Sequence, residues 1–184
     1  MGSEDTLNAV RARRTSTHPF LGFGSRHSVA WWTDPDQAEA VALDALAYDG
    51  RGCMTPTAIY TPIEDGPELL AAAMKRIKVR FPTGRVYPAE AAFLRRRKML
   101  ANVTGRVVGD VLVLPPHLAD ATPTPGMATL HHGPMPELDP NAISCVGTDG
   151  GPVPNIRTVP LGTMQAPDLD RTHDGVRWTR WPER

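Results

Sequence analysis

Apolar positions along this chain fall into short blocks whose spacing changes from one block to the next. In "DPDQAEAVALDALAYDG", residues Ala38, Val41, Ala42, Ala45 and Leu46 recur at helical spacing and share one face. Asp34 suits the cap of that helix, Pro35 its first turn and Gly50 its end. Two further helices open on prolines. "PELLAAAMKRIKVRF" starts at Pro67 and stops at Pro82, and "PAEAAFLRRRKMLAN" starts at Pro88. Residues 4–13 predict a short leading helix, with Ser3 or Asp5 near its cap. Between these lie compact runs that predict strands: Val29, Ala30, Trp31 and Trp32; Ala58, Ile59 and Tyr60; and "GRVVGDVLVLPP", broken at Gly109. Later runs are residues 128–131, "AISCVGTDG" and "IRTVPLGTMQ". Residues 115–140 hold seven prolines and predict mostly irregular chain, and the tail "DGVRWTRWPER" is short and amphipathic. Helices and strands intermix without an internal repeat, so the fold class is α/β.

Composition narrows this picture. The 184 residues suit one domain, and 41% hydrophobic with 22% charged residues excludes disorder. Lys+Arg and Asp+Glu both number 20, so no global field draws nucleic acid or an anionic membrane. No apolar run approaches the ~18 residues of a membrane span. "MGSEDTLNAVRARR" lacks the apolar stretch of a secretory signal, so Cys53 and Cys145 are expected as reduced thiols in the cytoplasm.

Cys53 is the leading candidate for chemistry. It lies in "YDGRGCMTP", where Gly50 and Gly52 permit a sharp bend and close approach of a carbonyl. N–H groups around Met54 could face a developing oxyanion, and Arg51 could add positive potential. On local sequence a buried cysteine acting as a small hydrophobe is the commoner role, and both readings stay open. Cys145, in "AISCVGT", reads as core. His131 and His132 are adjacent on a Pro-rich stretch. They would point opposite ways on an extended chain, which suits no paired metal site. His131 is a weak candidate acid or base, with surface exposure its commoner role. "GFGSRH" lacks the third glycine of a dinucleotide loop and precedes a strand, so that reading is rejected. The basic clusters 75–80 and 95–98 read as solvated helix faces, with a phosphate site the rarer alternative. No metal motif is present.

"DALAYDGRGCMTPTAIYTP" resembles the nucleophile segment of the bacterial long-chain acyl-CoA/acyl-protein thioester reductases, the luminescence-type fatty-acid reductases of the aldehyde dehydrogenase superfamily. Thr55 stands where that family usually has serine. "FLGFGSRHSVAWW" is similar to the family's upstream glycine-rich run. "ISCVGTDG" with "IRTVPLGTMQAPDLDRTHDG" is similar to its C-terminal signature, although Asp168, Arg171 and Thr172 depart from it. The resemblance implies an aldehyde-dehydrogenase-like catalytic domain over residues 21–184, a mixed sheet with flanking helices. Residues 1–20 would be the end of a dinucleotide-binding domain that is otherwise missing, as in a truncated catalytic half.

The activity implied is reduction of a fatty acyl-CoA or acyl-protein thioester to an aldehyde. Cys53 would carry the acyl group and NADPH would supply hydride. Residues 14–29 contain no Glu or Asp to serve as the superfamily's general base, which favours thioester reduction over aldehyde oxidation. No residue is assignable to holding NADPH. A non-catalytic interaction module of the same fold, and a cysteine acyltransferase without nicotinamide, remain as alternatives, and the resemblance leaves a homo-oligomer open.

Overall fold

The computed structural model describes residues 4–13, 15, 26–119, 122, 124–166, 172–173 and 176–177. Its centre is a seven-stranded sheet. The strands are β1 (His27–Trp31), β2 (Pro56–Thr61), β3 (Arg106–Val108), β4 (Val111–Val113), β5 (Ala128–His132), β6 (Ile143–Thr148) and β7 (Thr158–Pro160). Their order is β3-β4-β5-β2-β1-β6-β7, and every pairing is parallel except the β3–β4 hairpin. A separate two-stranded ribbon joins β8 (Thr172–His173) to β9 (Val176–Arg177).

Helices α2 (Ala38–Leu46) and α3 (Gly66–Arg80) cover one face. Val41, Ala42, Ala45, Leu70, Ala73 and Met74 pack there on Ala30, Ile59, Val111 and Leu130. Strand side chains alternate between faces, so Val29, Ala58, Tyr60 and Val146 point to the other side, under Met135, Leu138, Val153 and Ile156. On that side α4 (Pro88–Thr104) lays Ala101 and Leu100 on Leu112 and Leu114. Each large apolar side chain sealed in this way stabilises the fold by about 1.5–3 kcal/mol. The leading helix α1 (Glu4–Ala12) is largely exposed.

The α/β class and the proline-opened helices are as the sequence reads. Gly109, at φ +56, makes the expected break by closing the β3–β4 hairpin. Three expectations need correction. The helix that begins near Asp34 stops at Leu46, four residues before Gly50. The first strand covers His27–Trp31 and leaves Trp32 to the core beyond its end. His131 is fully buried, while His132 is exposed. The Pro-rich stretch contributes a central strand, so one of its alternating side chains must turn inward.

Candidate active site

After Leu46 the chain passes through three successive left-handed residues: Tyr48 (φ 53), Asp49 (φ 59) and Gly50 (φ 73). Only the glycine adopts that conformation freely, and a bulky residue there is strained. A Cβ on Gly50 would lie 3.2 Å from the Ala45 carbonyl oxygen. Arg51 N–H donates to the Tyr48 carbonyl at 3.0 Å, closing one turn. Thr55 N–H donates to the Gly52 carbonyl at 3.0 Å, closing a second. Cys53 and Met54 are the central residues of that second turn, and Cys53 is an exposed free thiol. Among the described residues, no hydrogen bond engages the N–H of Cys53 or of Met54. Donors beside a nucleophile can meet the oxyanion of an attacked carbonyl.

Arg51 does not turn its charge toward the thiol. Its Nε and Nη2 donate to the two oxygens of Glu90, both at 2.9 Å, and its Nη1 donates to Asp49 at 3.0 Å. Hydrogen bonding from Arg51, aided by the Tyr87 N–H, holds the Glu90 carboxyl down at about 2. Asp49 also accepts from the Gly84 N–H at 3.1 Å. The guanidinium instead fastens the loop to the start of α4, the alternative in which the Arg51 side chain points away.

Beneath the turn, Met54 is buried with Cys145 and Met164, and its sulfur accepts from the hydroxyls of Ser28 and Ser144. Residues 161–166 return along the outside of α2. Buried Asp44 accepts from the N–H groups of Gly162 at 2.6 Å and Met164 at 3.0 Å. Burial pushes its carboxyl up to about 6, against the opposing pull of those two donors. Gln165 then reaches the loop, where its Nε2 donates to Thr55 Oγ1 at 2.9 Å. Its carboxamide fills the space over Gly52, within 2.6–2.8 Å of where a Cβ would stand. Sequence reasoning missed Asp44 and Gln165 as site residues. The one available signal is the "GTMQ" block, which lies 110 residues from its partner.

A groove of about 800 Å³ opens beside the same loop. Leu43, Leu46, Ala47, Tyr48, Ile77 and Phe81 make it largely apolar, with Asp44 and Gln165 on its wall. Tyr48 and Phe81 stand exposed at 74% and 55%, a pairing of apolar surface that soluble chains usually cover.

The other predicted residues are not brought to this place. His131 pairs with Tyr60 near the carboxyl end of β2, whereas Cys53 precedes its amino end. Its Nδ1–H donates to the Leu114 carbonyl at 2.8 Å and its ring stacks on Tyr60. Burial is the main cause holding it below its ordinary pKa, which favours the neutral ring. Cys145 is buried, as its apolar run implies. The two basic clusters lie on opposite faces of the sheet and do not converge. Arg76 pairs with Glu39 and Lys78 with Asp110, and Arg97 is buried. "GFGSRH" falls largely outside the described residues. Among the described residues, no group of three or more His, Cys, Asp or Glu could hold a metal ion. None of their helices is long and apolar enough to cross a membrane.

A dinucleotide pyrophosphate needs backbone N–H groups at a glycine-rich strand-to-helix turn. The turn from β1 to α2 has no glycine, and its Thr33 and Asp34 N–H groups are committed to Asp149 at 2.8 and 2.6 Å. The turn from β2 to α3 carries Glu64 and Asp65. The described residues do not fit NADPH.

Comparison with known proteins agrees with this architecture. Residues 1–112, more than half of the chain, match the family model described as acyl-CoA reductase (LuxC). No curated protein matches the chain. Among solved structures, aldehyde dehydrogenase 21 from Physcomitrella patens, in complex with its reaction product succinate, is similar at 11% identity and a TM-score of 0.52. The match covers 82% of this chain but only 42% of that one. A protein assigned as aldehyde dehydrogenase PutA from Anabaena variabilis is similar at 12% identity and a TM-score of 0.45, over 68% of this chain and 35% of that one.

Proposed function

Because the chain belongs to the acyl-CoA reductase (LuxC) family, we propose that Cys53 accepts the acyl group of a fatty acyl thioester, the first half of an acyl-CoA reductase reaction. The thiolate of Cys53 attacks the thioester carbonyl. The oxyanion forms beside the Cys53 and Met54 N–H groups, and its collapse breaks the carbon–sulfur bond to coenzyme A. An S-acyl cysteine and a free coenzyme A thiolate result. The acyl chain lies in the apolar groove between Tyr48 and Phe81, where each buried methylene contributes about 0.8 kcal/mol. The observation that carries this reading is the exposed thiol at the tip of a turn, on the loop whose earlier residues Tyr48 and Asp49 line that groove.

The family's second half-reaction takes hydride from NADPH. The described residues offer no place for it, so this reading ends at the acyl-enzyme. Residues 21–184 are the catalytic domain on the same reading and residues 1–20 the end of a dinucleotide-binding domain, with a cytoplasmic setting and a homo-oligomer in keeping.

Among the described residues neither strand-to-helix turn offers a dinucleotide cradle, which leaves one second reading, a cysteine acyltransferase that passes the acyl group to another nucleophile. Incubation with palmitoyl-CoA followed by peptide mass spectrometry tests both. A palmitoyl adduct on Cys53 that Cys53→Ala abolishes is expected. An adduct that survives that substitution elsewhere in the chain, or none in the unsubstituted protein, overturns the proposal. Release of palmitaldehyde from the adduct only when NADPH is added distinguishes the reductase; release to an added thiol distinguishes the transferase.

A further inference from the structure

We infer that Gln165 is a positioning residue for the nucleophile, holding both ends of the turn that presents Cys53, with Asp44 keeping Gln165 in place. A four-residue turn has one chain entry and one exit, and Gln165 touches both. Its carboxamide lies over Gly52, where any side chain would displace it, and its Nε2 donates to Thr55 Oγ1 at 2.9 Å. Gly52 and Thr55 are also the pair joined by the closing hydrogen bond. The two residues between them, Cys53 and Met54, can move relative to the groove only if that bracket loosens. Gln165 lines the groove as well, so one side chain fixes the nucleophile's turn and the wall along which the acyl chain lies.

The bracket is anchored at three points. Asp44 receives two N–H groups of the segment, those of Gly162 and Met164 two residues apart, so the peptide leading into Gln165 cannot rotate freely. Met164 inserts over Gly147, where a Cβ would lie 2.5 Å from its sulfur. Leu161 joins the core beneath α2. A glutamine at the end of such a segment loses little further freedom on reaching the loop.

The consequence for acyl transfer rests on the reading of Cys53 given above; the positioning itself does not. The test therefore has two arms on the full chain. In the first, hydrogen exchange reads the protection of the Thr55 amide, which closes the turn. Gln165→Ala is expected to lower it about fivefold to tenfold, while amides of β1 and β6 keep theirs. Gln165→Glu, which can accept from the Thr55 hydroxyl in place of the donation Gln165 makes to it, is expected to restore most of it. Thr55→Val is expected to match Gln165→Ala, and the double variant to lose no more than either alone. In the second arm, Gln165→Ala is expected to slow palmitoylation of Cys53 about tenfold. Alkylation by iodoacetamide, which needs no groove, should change less than twofold. Unchanged Thr55 protection in Gln165→Ala, or additive losses in the double variant, overturns the inference. If the unsubstituted chain is never palmitoylated, the acylation reading fails, and the exchange arm still decides on Gln165. Should Gln165→Ala not fold, Gln165→Glu and Thr55→Val carry the same comparison.

Discussion

At the carboxyl ends of β1 and β6, Asp149 accepts from the Thr33 N–H, the Thr33 hydroxyl and the Asp34 N–H at 2.6–2.9 Å. At the amino ends of the same strands, the hydroxyls of Ser28 and Ser144 donate to the Met54 sulfur, and among the described residues the turn above them leaves the Cys53 and Met54 N–H groups without hydrogen-bond partners. The strand order reverses between β1 and β6, where open α/β sheets usually take ligands at the carboxyl ends. Here that end is tied shut by a carboxylate, and the open groove and the exposed thiol lie at the other. A parallel sheet presents two chemically different rims.

Substitutions at each rim can break or sharpen that contrast. The largest effect is expected at Gly50. Gly50→Val forces a β-branched residue into the left-handed region against the Ala45 carbonyl, costing about 3 kcal/mol. With the thiol misplaced by even an ångström, Cys53 palmitoylation should fall about a hundredfold. A full rate would show that the turn's shape does not matter.

Asp44 comes next. Its folded pKa, about 6, lies above the ordinary carboxylate value. Its neutral form is therefore the favoured one, and stability is full below pH 4 and declines as pH rises through about 6. The decline is at most about 3 kcal/mol. Urea melts from pH 3.5 to 7.5 should show it in the unsubstituted chain and not in Asp44→Asn, so the difference between the two should change by that amount across the window. A constant difference across the window contradicts the burial argument.

Asp149→Ala, at the opposite rim, is expected to cost about 1–2 kcal/mol, since its partners can rebind water. Cys53 palmitoylation should stay within twofold. An equal loss of stability and reactivity would erase the distinction between the rims. The smallest effect belongs to Tyr48→Gly, which relieves left-handed strain and should raise stability by about 0.5 kcal/mol. Removing the ring from the groove should slow palmitoyl-CoA more than acetyl-CoA, and equal slowing of the two would remove Tyr48 from the acyl site.

The local features of this fold are readable because their causes are local. Asp34 accepts from the Asp36 N–H, Pro67 and Pro88 occupy first helical turns, and Tyr87 with Glu90 forms a capping box, all within three residues of chain. The proposed nucleophile is legible because its flanking glycines and family pattern are contiguous. What surrounds it is not. Arg51 meets Glu90 across 39 residues, Asp44 meets Met164 across 120, and Gln165 meets Thr55 across 110. Nothing in the composition of either partner announces the other. Tyr48 and Asp49 show the same limit at short range. Neither is a glycine, so the early end of α2 is imposed by distant restraints on the loop and has no breaker to mark it.

The distance between Thr55 and Gln165 also has a meaning in time. A ribosome adding roughly 5–20 residues per second needs about 5–20 s to travel the 110 residues separating them. Throughout that interval the nascent polypeptide carries the Cys53 sulfur on a turn still lacking its late-made support. Translation thus delivers the proposed acyl-accepting atom first and the side chain proposed to aim it last.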